Sequence, residues 1–575
     1  MFHWKKGLAL LTIGALTASS LTGCGLLQGV ASAVKEAVEE TEAESGTPAD
    51  TEKTGGNTET PQTAEETPAP TTQTSSDAPM LAKRFTVEYE SAPDYGACLV
   101  TGRCESPVLA DISEEQYPAL AAALEAYTEQ EIKNYDENIT SLKEQAEMEY
   151  QENPERFKDG MYYTSNLTVL PQRVDDKVVS FFSSASDFTG GAHGMYGMSG
   201  KTFDTQTGEE LVLTDVLSDL SNLTELIKGE LLANYDPELF DDLDEALSCY
   251  DVAVTEVTAT ADNDLGYVYP YNWALTPNGV AFYFGPYALA PYAAGDQIVT
   301  LSYEAYPDLF KPDYLPGENA GCMIPFTWEL TGCDIDGDGK PNTITMDYDY
   351  DENYEERLAL RITVDGMGSA ATEEGAFSTD YDVMGYYART ADGRQYVYVT
   401  EDMESDYQQW YVFDLNGAEV KASGTTGFVR AVREEEDQNL TELMLTDPDH
   451  MILGNKFDFL CSFVAVREYA PGKDGMPVPD DPYFYVYNNC AQEPLVAKTT
   501  LGYTVLDQNG NATGEKGEIS PGDTFTVVRT DGESVLDVVL SDGSLVRLTI
   551  TDAASPCKID GITDEDCVEQ LWYAG

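Results

Sequence analysis

Histidine is almost absent, with three in 575 residues: His3, His193 and His450. His3 falls in an N-terminal leader, so two imidazoles remain in separate halves of the chain, which excludes a multi-histidine metal centre within one molecule. A Ser-His-Asp or Cys-His catalytic arrangement would have to use one of those two. Missing as well are a Gly-x-Ser-x-Gly elbow, a phosphate-cradling glycine loop before a helix and a dinucleotide fingerprint. No C-x-x-C pair occurs, which removes zinc sites of the usual cysteine spacing. Basic residues are scarce: 32 Lys and Arg face 103 Asp and Glu, a net charge of −71 spread along the chain. Such a surface repels phosphate backbones and anionic headgroups, which argues against nucleic acid and direct lipid-surface binding, and it attracts metal ions, cationic peptides and basic proteins. The same acidity also serves simply to keep an exported protein soluble. No apolar run reaches the roughly 20 residues of a membrane-spanning helix.

What the N-terminus does carry is a basic start, MFHWKK, a short apolar stretch, GLALLTIGALTASS, and Leu21-Thr22-Gly23-Cys24. This order reads as a secretory signal. It resembles the lipobox of bacterial lipoproteins, which implies that residues 1–23 are removed and that Cys24 is lipidated. The mature chain is then expected at the bacterial cell surface, anchored to the outer face of the cytoplasmic membrane. Residues 24–82 are rich in Thr, Glu, Pro, Ala and Ser, too poor in apolar side chains to fold, and read as a stalk. The remainder is long enough for two to four domains.

After Cys24, nine cysteines remain. Taken as neighbours in chain order they offer four short-range disulfides, Cys98 with Cys104, Cys322 with Cys333, Cys461 with Cys490 and Cys557 with Cys567, leaving Cys249 over.

Residues 83–314 mix strand and helix patterns. RFTVEYE, YYTSNLTVLPQRV and KVVSFFSSASDF read as strands; Ser113-Glu114-Glu115-Gln116 has the form of a capping box before a long helix running to about Asn153, with Pro118 able to shift its start. A second helical part follows at SDLSNLTELIKGELLANY. Val280 to Phe284 reads as a buried strand ending in the Gly285-Pro286 turn, with Tyr287 and Tyr292 in the following loop as the better candidates for ligand contact. His193 reads as part of a glycine turn whose imidazole caps a backbone carbonyl.

Several motifs in this region carry a resemblance: Thr189-Gly190-Gly191-Ala192-His193-Gly194, Phe203-Asp204, Thr207-Gly208, Leu211 and Asp215-Val216, then Trp273-Ala274-Leu275, Gly279, Phe282-Tyr283-Phe284, Pro286-Tyr287, Ala290-Pro291-Tyr292-Ala293 and Gly295. Together they resemble the extracellular domain shared by RsiV, the lysozyme-sensing anti-sigma factors, and PdaC, the peptidoglycan deacetylases. The resemblance implies a PdaC-like half over 83–194 and an RsiV-like half over 195–314. It implies binding of lysozyme, another cationic protein or peptidoglycan. The deacetylase domain of the PdaC type and the sigma-binding segment of the RsiV type have no counterpart here, and the two histidines cannot supply the deacetylase metal site.

In residues 321–493, Asp334-x-Asp336-x-Asp338-Gly339 places alternate acidic oxygens at the spacing of a calcium loop. The expected ligands are Asp334, Asp336, Asp338, the Lys340 carbonyl and Asn342. Thr345 stands where an EF-hand needs Glu, and the flanks TWEL and TITMDYDY look like strands, so the loop resembles those of FG-GAP-type propeller repeats and dockerins. Downstream, alternating strands meet at Asp-Gly and Asn-Gly turns through a further unit at 494–575. The pattern fits a partial propeller, or a sheet domain followed by a small barrel. The fold class expected is α+β: a mixed N-terminal module and a mainly β C-terminal region. The function expected is non-catalytic binding of an envelope or host ligand. The rivals are a cell-wall glycan hydrolase using paired carboxylates and a structural or adhesive surface protein.

Overall fold

The computed structural model describes residues 78–571 and 573, apart from 94–95, 256, 261–265, 318–319, 338–339, 352–356, 376–382, 435–438 and 490–493. The signal segment, Cys24 and the stalk as far as residue 77 lie outside the described residues; the end of the expected stalk is not one, since Leu81 and Ala82 are fully buried at the start of a strand. No helix among the described residues is long and apolar enough to cross a membrane.

The N-terminal sheet is built from β1 (Leu81–Ser91), β2 (Cys98–Leu109), β3 (Tyr163–Val174), β4 (Val178–Phe188) and β5 (Met195–Asp204), adjacent in that order. β2 and β3 pair in parallel and the others antiparallel. A parallel pair needs a crossover, and helix α1 (Pro118–Glu152) supplies it. Its residues Tyr135, Ile139, Leu142, Ala146 and Tyr150 recur at helical spacing and pack on Leu99, Val100, Tyr163 and Leu167 of the sheet. The helix starts at Pro118, which suits the first position because its missing N–H is one that no turn would use. The capping box does not form: Ser113 lies in a short separate helix and its hydroxyl accepts a hydrogen bond from the Met80 N–H at 2.8 Å.

A three-stranded antiparallel sheet follows: β6 (Trp273–Thr276), β7 (Gly279–Phe284) and β8 (Gln297–Ser302), with β7 in the middle. Every residue of β7 is buried, as its unbroken apolar run requires. One face packs on helix α2 (Leu223–Asn234) through Leu223, Ile227 and Leu231 against Phe282, Phe284, Val299 and Leu301. The other face meets β4 and β5 through Ala274, Ala281, Tyr283, Met198 and Phe182. The approach is close enough that a Cβ on Gly200 would lie 2.1 Å from the Trp273 carbonyl oxygen.

The distal region is almost entirely β. Strands Cys322–Phe326, Val383–Arg389, Gln395–Asp402, Tyr407–Asp414 and Lys421–Val429 follow one another antiparallel. A four-stranded sheet, Glu329–Cys333, Asn342–Tyr350, Arg357–Val364 and Gly368–Ala371, covers one face of that meander, burying Ile344, Leu360 and Ile362 on Val397, Val399 and Phe413. Chain order does not separate the regions. Leu440–Leu443 pairs with β1 (Ala82 opposite Leu443, Phe85 opposite Leu440) and carries Val432–Glu434 at its edge, so the distal chain completes a seven-stranded N-terminal sheet. Arg433 fixes this edge by a bidentate pair with Asp111, at 2.6 and 2.8 Å.

The expected small barrel does not close. Among the described residues, Ala512–Ile519 pairs only with Leu501–Leu506, and the ladder runs on through Leu545–Asp552, Val535–Leu540 and Thr524–Thr530 to Phe484–Asn489 and Leu495–Val496 without joining its ends. The chain is therefore a mostly β protein with one mixed module, compatible with α+β at that coarse level.

Candidate functional site

The turn before β5 takes Gly190 and Gly191 to φ values of 82° and 125°. The positive φ of Gly190 is what asks for glycine there. The turn delivers His193 to the surface with Nδ1 2.9 Å from the Gly194 carbonyl oxygen. Its ring stacks on Tyr292, centroids 3.9 Å apart and planes 22° from parallel.

Tyr292 opens a short 3-10 turn after Pro291. Two further rings flank it: Tyr287 at 5.6 Å and Tyr196, edge-on, at 6.1 Å. Tyr287 is 46 % exposed. Its φ is 67°, a conformation that costs a bulky residue about 1–2 kcal/mol. The loop holds it there through the Tyr287 N–H donating to the Ala290 carbonyl at 2.9 Å.

Behind the rings lies a polar seam between the two sheets. Burial pushes the Asp296 carboxyl above the usual carboxylate range, and the neighbouring Tyr196 hydroxyl partly opposes that rise. Burial and the same carboxylate push the Tyr196 phenol up in turn. Asp296 Oδ1 is buried without a hydrogen-bond partner, as are the Tyr283 hydroxyl and the Ser186 hydroxyl, the latter directly opposite Tyr196 across β4 and β5. A ring platform of this kind can stack the flat apolar face of a sugar or alkyl group.

Residues 105–196 match the family model "Deacetylase PdaC", and residues 215–304 match "Protein of unknown function (DUF3298)". The N-terminal region is a PdaC/DUF3298-like module. Solved structures similar to the chain include two of this family. A DUF3298 family member from Bacteroides fragilis is 18 % identical, covering 41 % of this chain and 95 % of its own, with a TM-score of 0.30. A DUF3298 family protein from Pseudomonas aeruginosa PAO1 is 20 % identical, covering 42 % and 99 %, with a TM-score of 0.27. No curated protein matches the chain. Within the PdaC/DUF3298-like module the two matched segments meet at the ring cluster: His193 and Tyr196 come from the first, Tyr287, Tyr292 and Asp296 from the second.

Of the residues singled out by sequence, Tyr287 and Tyr292 are thus brought together. Tyr196, Asp296 and the stacking role of His193 were missed. For His193 the signal was available, since His193 and Tyr292 stand in the two motif runs that carry the family resemblance.

The aspartate loop lies far along the chain from the PdaC/DUF3298-like module, between strands as its flanks suggested. Asp338 and Gly339 lie outside the described residues. Asp334 Oδ1 accepts from the Gly337 N–H at 2.8 Å. Asn342 does not fit a ligand role: its side-chain oxygen accepts from the Ile335 and Asp336 N–H groups at 2.6 and 3.3 Å, and its nitrogen donates to the Asp365 carbonyl at 2.9 Å. It braces the loop instead. No group of three or more metal-ligating side chains is assembled among the described residues.

The cysteine pairing by chain order needs correction at its first member. Cys98 and Cys104 lie on one continuous strand, β2. At about 3.3 Å per residue their Cα atoms stand roughly 20 Å apart, against a limit near 7 Å for a disulfide. Cys322 and Cys333 share one core, and Cys461, Cys557 and Cys567 share another, but no disulfide joins cysteines among the described residues. Cys490 lies outside them. Burial pushes the Cys557 thiol up to about 11 and those of Cys104 and Cys567 up to about 12, so these are thiols at neutral pH.

A cavity lies elsewhere, at the joint of the N-terminal and distal sheets, beside Lys83, Trp410, Arg430 and Glu442. Its charges answer one another: Lys83 pairs with Glu105 at 3.2 Å and Glu442 at 3.4 Å, and Arg430 with Glu442 at 2.9 Å. That closed network reads as a structural clasp.

Proposed function

We propose that the PdaC/DUF3298-like module is a non-catalytic binding module for a cell-envelope glycan of the peptidoglycan type, held at the cell surface through a lipid on Cys24. The ring cluster of Tyr287, Tyr292, His193 and Tyr196 is the contact surface. The observation that carries this reading is Tyr287, kept in a left-handed conformation and 46 % exposed beside Tyr292. Strain of that kind at an exposed aromatic residue serves packing poorly and ligand presentation well.

A second reading has its own support. With a net charge of −71, the protein would steer a basic protein such as lysozyme at a high, salt-sensitive rate, in line with the resemblance to RsiV-type sensors. Sedimentation of the solubilised protein with insoluble peptidoglycan, beside a lysozyme pull-down at two salt concentrations, separates the two. Glycan binding that Tyr287→Ala and Tyr292→Ala abolish supports the first. Lysozyme capture that weakens at higher salt supports the second. Release of soluble fragments from peptidoglycan by the protein alone would overturn the non-catalytic reading.

A further inference from the structure

Strand β1 is covered along only part of its outer edge. Leu440–Leu443 pairs with Ala82 to Phe85, and among the described residues no strand continues that pairing past Phe85. Two hydrogen bonds fix the direction of the main-chain groups beyond it. The Leu81 carbonyl accepts from the Met444 N–H on the outer side at 3.0 Å, and the Met80 carbonyl accepts from the Ala110 N–H on the β2 side at 2.9 Å. The register with β2 then runs unbroken to Glu90, so the N–H and C=O groups of Val87 and Tyr89 point outward. These are also the two most exposed large apolar side chains among the described residues, at 63 % and 64 %.

A comparable edge in the same module is closed. On β8 the Tyr235 hydroxyl accepts from the Ile298 N–H at 2.8 Å and donates to the Ile298 carbonyl at 3.1 Å. Uncovered edges are usually blunted by lysine, proline or a bulge. From Phe85 to Glu90, β1 has no lysine or proline, and its register shifts only between Glu90 and Ser91.

The charges near this edge select a partner. Val100, opposite Glu90, packs in the core under α1, and Lys143 of that helix donates to Glu88 at 2.6 Å. Glu88 and Glu90 therefore lie on the helix face, and Val87 and Tyr89 on the other. The helix carries nine acidic residues and two lysines, and both lysines are paired, Lys143 with Glu88 and Lys133 with Glu137. Among the described residues no Lys or Arg pairs with Glu90. On the apolar face Arg103, opposite Val87, is answered by Glu105 at 2.7 Å and lies over the Phe85 ring.

We propose that the outer edge of β1 from Val87 to Glu90 docks an extended basic segment of a partner protein, added as a strand where Leu440–Leu443 ends. Main-chain bonds to Val87 and Tyr89 continue the ladder. The guest's side chains alternate: apolar ones lie beside Val87 and Tyr89, and Lys or Arg beside Glu90 and the acidic helix. A second copy of the chain would set Glu88 and Glu90 against their own counterparts, which like charges disfavour. The chain's own preceding segment, residues 24–77, holds eleven acidic residues against two lysines and is repelled for the same reason. Strands β2, β3 and β4 separate this edge from the ring cluster at β5, so it does not rest on the glycan reading.

The test is fluorescence anisotropy of the solubilised full chain with a short labelled peptide of alternating Lys and Val. The comparison peptides alternate Glu and Val, or carry N-methyl groups on the valines, which would lie opposite Val87 and Tyr89. The Lys-Val peptide should bind and the Glu-Val peptide should not. N-methylation, and Tyr89→Lys in the protein, should each weaken binding about tenfold or more. No binding of the Lys-Val peptide would overturn the site. Equal binding of the N-methylated peptide, or undiminished binding to Tyr89→Lys, would show diffuse charge attraction and overturn it too. Should that variant not fold, hydrogen exchange in the unsubstituted chain decides: the peptide should slow exchange in Thr86–Glu90, and an unchanged rate refutes the site. Val87 and Tyr89 amides already protected without peptide would assign the edge to the chain's own N-terminal segment and overturn the proposal. Self-association that Tyr89→Lys abolishes would assign it to a second copy, with the same consequence.

Discussion

His193 and Tyr292 stack face to face at 3.9 Å although one ends a glycine turn before β5 and the other follows the buried strand β7. The stack joins the two matched halves of the PdaC/DUF3298-like module at the protein surface. Tyr292→Ala removes the central ring on which His193, Tyr196 and Tyr287 lean. It should weaken binding to peptidoglycan about tenfold or more, roughly 1.4 kcal/mol, while leaving the cores untouched. Tyr292→Phe keeps the ring and should keep most of the affinity. Equilibrium binding measured alongside circular dichroism checks both; full affinity in Tyr292→Ala would remove the cluster from the contact surface.

The union of the two sheets has its own test at Gly200. A Cβ there would meet the Trp273 carbonyl oxygen at 2.1 Å and the Ala274 nitrogen at 2.9 Å, both backbone atoms that cannot swing aside. Gly200→Ala should destabilise the N-terminal module by about 1–3 kcal/mol through forced separation of β5 from β6. Denaturant unfolding followed by tyrosine fluorescence reads the loss. A change below about 0.5 kcal/mol would show that the sheets part easily.

How much of this was legible in the sequence depended on whether the signal was local. The unbroken apolar run Val280 to Phe284 gave a buried strand, and helical spacing with Pro118 gave α1, because both are short-range patterns. The capping box at Ser113 failed for a tertiary reason: the Met80 N–H claims its hydroxyl. Val432–Glu434 and Leu440–Leu443 are short and polar enough to pass for loop, and β1, the partner of Leu440–Leu443, lies more than 300 residues earlier in the chain, so no periodicity points to it. Of the site, the two tyrosines were legible as exposed loop aromatics. Asp296 was not, since one aspartate among so many acidic residues becomes distinctive only when burial and a neighbouring phenol single it out.

The aspartate loop makes a separate prediction. Calcium held by Asp334, Asp336, Asp338 and the Lys340 carbonyl should raise the Tm of the distal region, since a ligand that binds only the folded state stabilises it by mass action. Asp336→Ala should abolish the rise. Asn342→Ala should lower Tm with and without calcium alike, because its amide braces the Ile335 and Asp336 backbone. Differential scanning calorimetry with calcium and with a chelator decides; no calcium-dependent shift in the unsubstituted chain would exclude the site.

The other histidine among the described residues predicts a pH dependence of stability. His450 Nδ1 is hydrogen-bonded to a carboxylate oxygen of Glu468, which is 6 % exposed. That bond chiefly raises the imidazole above its ordinary value of 6.5, with Asp447, Glu468 and Asp449 adding their charge and burial opposing. A histidine whose folded value is raised binds its proton more tightly in the native state. Its contribution is complete below the unfolded value, about 6.5, and is lost as pH rises through the higher folded value. The denaturant midpoint of the distal region should therefore fall as pH is raised from 6.5 through that value, and His450→Gln should flatten this segment of the profile. Glu468→Gln should bring the imidazole value down, read directly by its NMR titration. A titration of His450 at or below 6.5 in the unsubstituted protein would contradict the coupling, because the buried carboxylate would then gain nothing from the proton it faces.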